Sequence, residues 1–212
     1  MDFWDRLDAA AKRWNVLRHP FYRRWSNGQL SPAELSLYAG QYAHAVAALA
    51  TATRQAADSA PAHMADELAD HAVEEESHVA LWRQFGEAVD FDPADAPLPE
   101  TADCVRTWAD PRRGCVRTLV ALYAIESAQP AISETKRAGL AQHYGIAGGP
   151  ATSYFDTHVV LDRDHARSGR ELISDELHEA NADALVAEAE RVLAANWRLL
   201  DGVERESAPL RR

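Results

Sequence analysis

His158, Asp162 and His165 stand four and three residues apart in the segment YFDTHVVLDRDHAR. On an α-helix, steps of four and seven residues return to within roughly 40° and 20° of the start, so all three side chains leave one face. Two imidazoles and a carboxylate on one face can hold a transition metal. A second segment, DHAVEEESHVALW, repeats the spacing with His71, Glu75 and His78. Glu75 and His78 form the Glu-x-x-His pair that dimetal carboxylate bundles direct into their cores. Glu74 and Glu76 read as a solvated flank of that run. His71 reads as a neighbour of the site or a surface histidine rather than a ligand. The third element is Glu126, which follows the seven apolar residues LVALYAI. A helix that is apolar nearly all round is buried, and a carboxylate on it needs a cation or another partner, such as a buried Arg. Pro130 lacks the N–H that would bond the Glu126 carbonyl, so a kink is expected there.

Three carboxylates (Glu75, Glu126, Asp162) and three imidazoles (His78, His158, His165) suit two ions of iron, or of iron and manganese, with bridging carboxylates. A structural zinc site would use four ligands and favour Cys. Mixed oxygen and nitrogen ligation with open positions is how non-haem iron binds and activates O2. Other chemistry finds little support. Cys104 and Cys115 lack organised His or Asp partners, which argues against a Cys nucleophile. No acyl-transfer Ser motif or Gly-rich phosphate loop is present. Gln41 and His44 lie on an Ala-rich helix and read as satisfied core polar groups.

The elements that must position these residues are helices, and no segment reads as a strand. Helices are expected over residues 3–18, from the capping box Ser31-Pro32-Ala33-Glu34 to Asp58, and from Pro61 to Val89. A Pro-rich acidic loop over 90–103 precedes a short helix around Thr107. A long helix is expected from Pro111 to Gly145 with Pro130 inside it. Helices over 151–172 and 180–201 follow, and the tail ESAPLRR is expected to fray. The 212 residues are 47% apolar and 26% charged, and about a fifth are alanine, the best helix former. The expectation is one all-α domain spanning residues 1–212, a bundle with its polar site between facing helices. A net charge of −11 argues against nucleic-acid or anionic-membrane partners. No apolar run approaches membrane-spanning length. The acidic start MDFWDRLDAA does not resemble a secretory signal, so a cytoplasmic protein with reduced cysteines is expected.

With those residues in view, the chain resembles the haem-oxygenase-like dimetal oxidases, seven-helix bundles distantly related to TenA/PqqC-like proteins. Within them it is most similar to the CADD-like, self-sacrificing para-aminobenzoate synthases. The likeness runs from about His19 to Ala166 and rests on HPFYRRWSNGQL, HVALWRQF, YAIESAQPAISETKRAGLAQHYG and YFDTHVVLDRDHAR. It implies a non-haem dinuclear oxidase that uses O2 and an external reductant to form para-aminobenzoate for folate synthesis. Tyr22 would supply the ring and Lys136 the nitrogen, with Tyr38 and Tyr154 as further tyrosines of the site. It also implies a homodimer acting on small molecules, with an unidentified electron donor. Two departures stand out. Ile125 replaces a family tyrosine, and a short insertion between Glu75 and His78 is absent. The same ligands would equally serve a multi-turnover oxidase of an external amine, amino acid or other small molecule. A non-enzymatic interaction bundle is the remaining alternative.

Overall fold

The structure is a computed structural model that describes residues 1–210. Among these residues the regular structure consists of nine α-helices and two short 3₁₀ turns, with no strand. Helix α1 (Phe3–Arg13) starts at a capping box in which the Asp2 and Asp5 side chains each accept the other's backbone N–H. A 3₁₀ turn (Val16–Arg18) leads into α2 (Pro20–Ser26). His19 caps α2 by accepting the Phe21 N–H at Nδ1, while its Nε2–H donates to Asp201. The chain was expected simply to turn at His19-Pro20. It starts a helix there because an acceptor at N-cap and a proline at N1 are a favourable opening.

Helix α3 (Pro32–Asp58) begins at the Ser31/Glu34 capping box, as expected. Helices α4 (Ala65–Ala88), α5 (Pro99–Trp108), α6 (Cys115–Glu126), α7 (Gln129–His143), α8 (Ser153–Glu176) and α9 (Glu179–Ser207) follow. The loop expected through residue 103 is shorter than predicted, because Pro99 opens α5 at its first turn. The single helix expected over 111–145 is two. Glu126 ends α6, and Pro130 occupies the first turn of α7, where its missing N–H costs nothing. The tail is more ordered than expected: α9 continues to Ser207, a 3₁₀ turn (Ala208–Leu210) follows, and the Ser31 hydroxyl donates to the Leu210 carbonyl. Residues 211–212 lie outside the described part.

α3 packs along α4, α6 and α7 pack on α8, and α9 closes the bundle against α1, α5 and α6. The core between them is strongly aromatic, with Trp25, Tyr38, Tyr42, Trp82, Phe85 and Phe155 all buried. Gln41 is buried and satisfied, donating to the Ala96 carbonyl and accepting the Leu98 N–H. His44 is not a core group: it is part-exposed and anchors the acidic loop through the Asp95 carbonyl. Cys104 and Cys115 are free thiols.

Candidate metal centre and its aromatic pocket

Three helices bring the acid and imidazole residues together. α4 supplies His71, Glu75 and His78, α6 ends on Glu126, and α8 supplies His158, Asp162 and His165. Their donor atoms form three overlapping groups, each within 4.8 Å: His71–Glu126–His165, Glu75–His78–His158 and Glu75–Asp162–His165. All six expected ligands therefore lie in one cluster. His71, expected to stand outside it, lies within it. The buried-Arg alternative for Glu126 is excluded, since its neighbour is His71 Nε2 at 3.1 Å.

These residues fit a metal centre on a specific observation. His71 Nε2, Glu75 Oε2, Glu126 Oε1, His158 Nε2, both Asp162 oxygens and His165 Nδ1 are buried without a hydrogen bond. Each such atom costs about 1–3 kcal/mol if nothing replaces its lost water. So many in one place form a donor set that a shared cation would satisfy. The imidazoles are also held from behind. His158 Nδ1–H donates to the Tyr154 carbonyl at 2.7 Å, which leaves Nε2 with a free lone pair. His165 Nε2–H donates to Glu74 at 2.8 Å, which directs Nδ1 inward. Glu74, expected on a solvated face, is thus half-exposed and engaged with the site. Glu76 pairs with Arg54 on the surface.

The electrostatics agree with ligand roles. Burial pushes the Asp162 carboxyl up to about 7 and the His158 imidazole down to about 4. Burial also lowers His165, but the nearby carboxylates of Asp162, Glu126 and Glu74 outweigh it and raise His165 to about 9. A divalent cation would offset the carboxylate desolvation and compete with protons for the imidazoles. A cleft of about 490 Å³ opens onto His71, Glu126 and His165.

Beside this centre lies a buried cage of aromatic rings around Lys136. The sequence context SETKRAG suggests a solvated lysine, yet Lys136 is fully buried on the inner face of α7. Its Nζ has no hydrogen-bond partner. It lies 4.7 Å from the ring centroid of Tyr42, 5.4 Å from those of Tyr38 and Trp82, and 5.5 Å from those of Tyr22 and Phe155. Burial lowers its pKa to about 7. Trp25 Nε1–H donates to the Lys136 carbonyl and fixes the backbone beneath it. The Tyr22 and Tyr38 hydroxyls are 2.8 Å apart, and burial raises both phenols well above their usual range. Tyr154 joins the two regions, stacked on His158 at 4.0 Å and edge-on to Trp82 at 4.8 Å. Tyr42 and Trp82 escaped the sequence reading. Their signal was the four-residue step, Tyr38 to Tyr42 on α3 and His78 to Trp82 on α4, which puts each on a face already assigned to the site.

Residues 34–197 match the family model described as iron-containing redox enzyme, haem oxygenase type. The chain is 30% identical to a 4-aminobenzoate synthase of Nitrosomonas europaea, covering 95% of this chain and 90% of the relative. It is 29% identical to a 4-aminobenzoate synthase of Chlamydia trachomatis, covering 95% and 91%. Among solved structures, a haem-oxygenase-like domain of unknown function from Shewanella denitrificans superposes with a TM-score of 0.83 at 21% identity, over 97% of this chain and 93% of that one. A TenA homologue from Pseudomonas syringae gives 0.79 at 16% identity, over 96% and 93%. A helical bundle carrying a carboxylate and imidazole cluster, with a family match over most of its length, belongs to the haem-oxygenase-like iron-containing redox enzymes.

Proposed function

We propose that this enzyme forms para-aminobenzoate from its own side chains, with the ring of Tyr22 as skeleton and Lys136 as nitrogen donor. The observation that carries the reading is the unpaired Lys136 amine facing the Tyr22 ring, with Nζ 5.5 Å from its centroid. The relatives named 4-aminobenzoate synthase support the product. The carbon count agrees too: six ring carbons and Cβ of a tyrosine equal the seven carbons of aminobenzoate. The Cα–Cβ bond of Tyr22 must then break, Cβ must be oxidised to carboxylate, nitrogen must replace the phenolic oxygen, which leaves as water, and the Nζ–Cε bond of Lys136 must break to release that nitrogen with the ring. Two iron ions, or iron and manganese, held by Glu75, His78, Glu126, His158, Asp162 and His165, would supply oxidising power from O2 with an external reductant.

The chain's own residues set up the remaining conditions. Burial keeps a large share of Lys136 neutral near pH 7, so its lone pair is available for attack on an oxidised ring. Tyr38, hydrogen-bonded to Tyr22, can take up or return the phenolic proton. Trp82 and Phe155 exclude water, which would otherwise compete with the amine for the ring. Tyr154 stacks between the metal ligand His158 and this pocket and gives an aromatic path for electrons where Ile125 offers none.

The test loads the protein with Fe(II), with and without Mn(II), and adds reductant and O2. Free para-aminobenzoate and the mass of the Tyr22 peptide are then followed together. At most one equivalent of product, with matching loss at Tyr22, supports self-sacrifice. An intact Tyr22 in protein that holds two metals and consumes O2 overturns it. The cleft beside Glu126 favours a second reading, multi-turnover oxidation of an external small molecule. Tyr22→Phe separates the two, because an external-substrate oxidase keeps its activity without the Tyr22 hydroxyl.

A further inference from the structure

His71 stands in the same cluster as the six candidate ligands. His71 Nε2 lies 3.1 Å from Glu126 Oε1, yet neither atom makes a hydrogen bond. An imidazolium paired with a carboxylate would align its N–H on the oxygen, because a charge-assisted hydrogen bond is among the strongest available to it. Here the two atoms are close and misaligned, as are two donors aimed at a common third point. The His71 ring also packs on the His165 ring, with centroids 4.1 Å apart and planes at 39°. His78 and His158 pack alike at 4.5 Å, so each end of the cluster is built from one imidazole of α4 and one of α8. Two imidazoles at such contact are poor neighbours as cations, but good neighbours when both lone pairs face one metal ion.

We propose that His71 is itself a metal ligand, completing with Glu126 and His165 an outer position that faces the cleft. Glu75, His78 and His158 form the inner, enclosed position, and Glu75 and Asp162 connect the two. The asymmetry follows from burial. Glu75, His78 and His158 are all buried, whereas His71 and His165 are part-exposed at the cleft wall. An ion held by His71, Glu126 and His165 would therefore be the one exposed to the cleft. With Glu75 and His78 one turn apart, α4 stays helical and presents His71 one turn before Glu75 on the same face. This inference rests on the dimetal reading above but not on its product.

The experiment reads metal binding and needs no turnover. Chelated protein is titrated with Co(II), following ions bound per chain and the visible d–d bands of Co(II). Wild type is expected to bind two ions with distinguishable affinities. His71→Ala is expected to keep the tighter ion and weaken the second by at least about 100-fold, since even an outer partner of a ligand is worth about 10–100-fold. The band set of the outer ion disappears with it. His71→Asn, similar in size and polar, guards against a folding defect and is expected to lose the same ion with an unchanged helical circular dichroism signal. Two ions bound by either folded variant, with affinities within threefold of wild type and unchanged bands, would overturn the ligand role and leave the proposed function standing. Fewer than two ions in wild type would overturn both.

Discussion

Lys136 has neither a counter-ion nor a hydrogen-bond acceptor, and burial alone sets its proton affinity. The sign of its effect on stability follows. In the unfolded chain the amine keeps its proton up to about 10.5, but in the folded protein only up to about 7. Between those values the unfolded state binds more protons, so stability rises with pH. Lys136→Met removes the penalty. It should stabilise the protein at pH 7 by up to about 4 kcal/mol, with the gain shrinking toward zero near pH 10.5. Denaturant unfolding of both proteins at pH 7 and pH 10 measures this, and a gain independent of pH would mean that the amine is not held neutral. Para-aminobenzoate formation should rise through pH 7 for the same reason. Glu74 gives a second prediction at this scale. It grips His165 from the half-exposed surface, so Glu74→Gln should weaken metal binding by about 10–100-fold with little change in unfolding midpoint in the absence of metal. Titration with Mn(II) and thermal melts of the chelated protein would check the two halves. Neither role was legible from single residues. Periodicity placed the candidate ligands on common faces because their types are unusual there. A lysine in SETKRAG and a glutamate in EEES look like ordinary surface residues until neighbouring helices are in place.

Helix starts were the most legible elements, because a cap is a local event. Ser31 with Glu34 needs only four residues to declare α3. Breaks were harder: Pro130 signalled trouble after Glu126, but whether the helix bends or ends depends on what packs against both halves. α7 begins afresh there and must then sit close to α2, and Gly139 is what permits this. A Cβ at Gly139 would lie 2.6 Å from Cδ1 and 2.7 Å from Nε1 of the Trp25 indole. Trp25 is fully buried and tied through Nε1 to the Lys136 carbonyl, so it has no room to retreat. Gly139→Ala gains about 1 kcal/mol of helix propensity. Overpacking a rigid buried ring costs about 1–3 kcal/mol, and with two contacts under 3 Å the cost wins. With a net cost of up to about 2 kcal/mol, the melting temperature should fall by up to about 4–8 °C at the 2–4 °C per kcal/mol typical of this size. Indole fluorescence should report the displaced Trp25. A rise in melting temperature would mean that α2 moves freely relative to α7.

Across the whole molecule, the cluster ties together helices that are far apart in the chain. Its carboxylates and imidazoles come from α4, α6 and α8 and gather where three helices would otherwise bury apolar surface. The all-helical architecture was legible from alanine content and periodicity, but the meeting of these three faces was not, since spacing along one helix carries no information about its neighbour. The arrangement makes metal and fold interdependent. Without a cation the clustered carboxylates face one another and the buried lone pairs stay unsatisfied. With cations, each ion present at about 100 times its dissociation constant adds about 2.7 kcal/mol to stability. Two ions then add roughly 5 kcal/mol, which at 2–4 °C per kcal/mol raises the melting temperature by roughly 10–20 °C. Chelation should reverse the rise, and adding back Mn(II) should restore it without O2 or reductant. The same melts on Asp162→Asn should show most of the gain lost, because Asp162 offers two unsatisfied oxygens at the centre of the cluster. Native-state hydrogen exchange locates the effect: protection gained on metal addition should concentrate in α4, α6 and α8 and leave α1 and α5 unchanged. Protection spread evenly over all helices would mean that the ions stabilise the bundle without bridging these three elements.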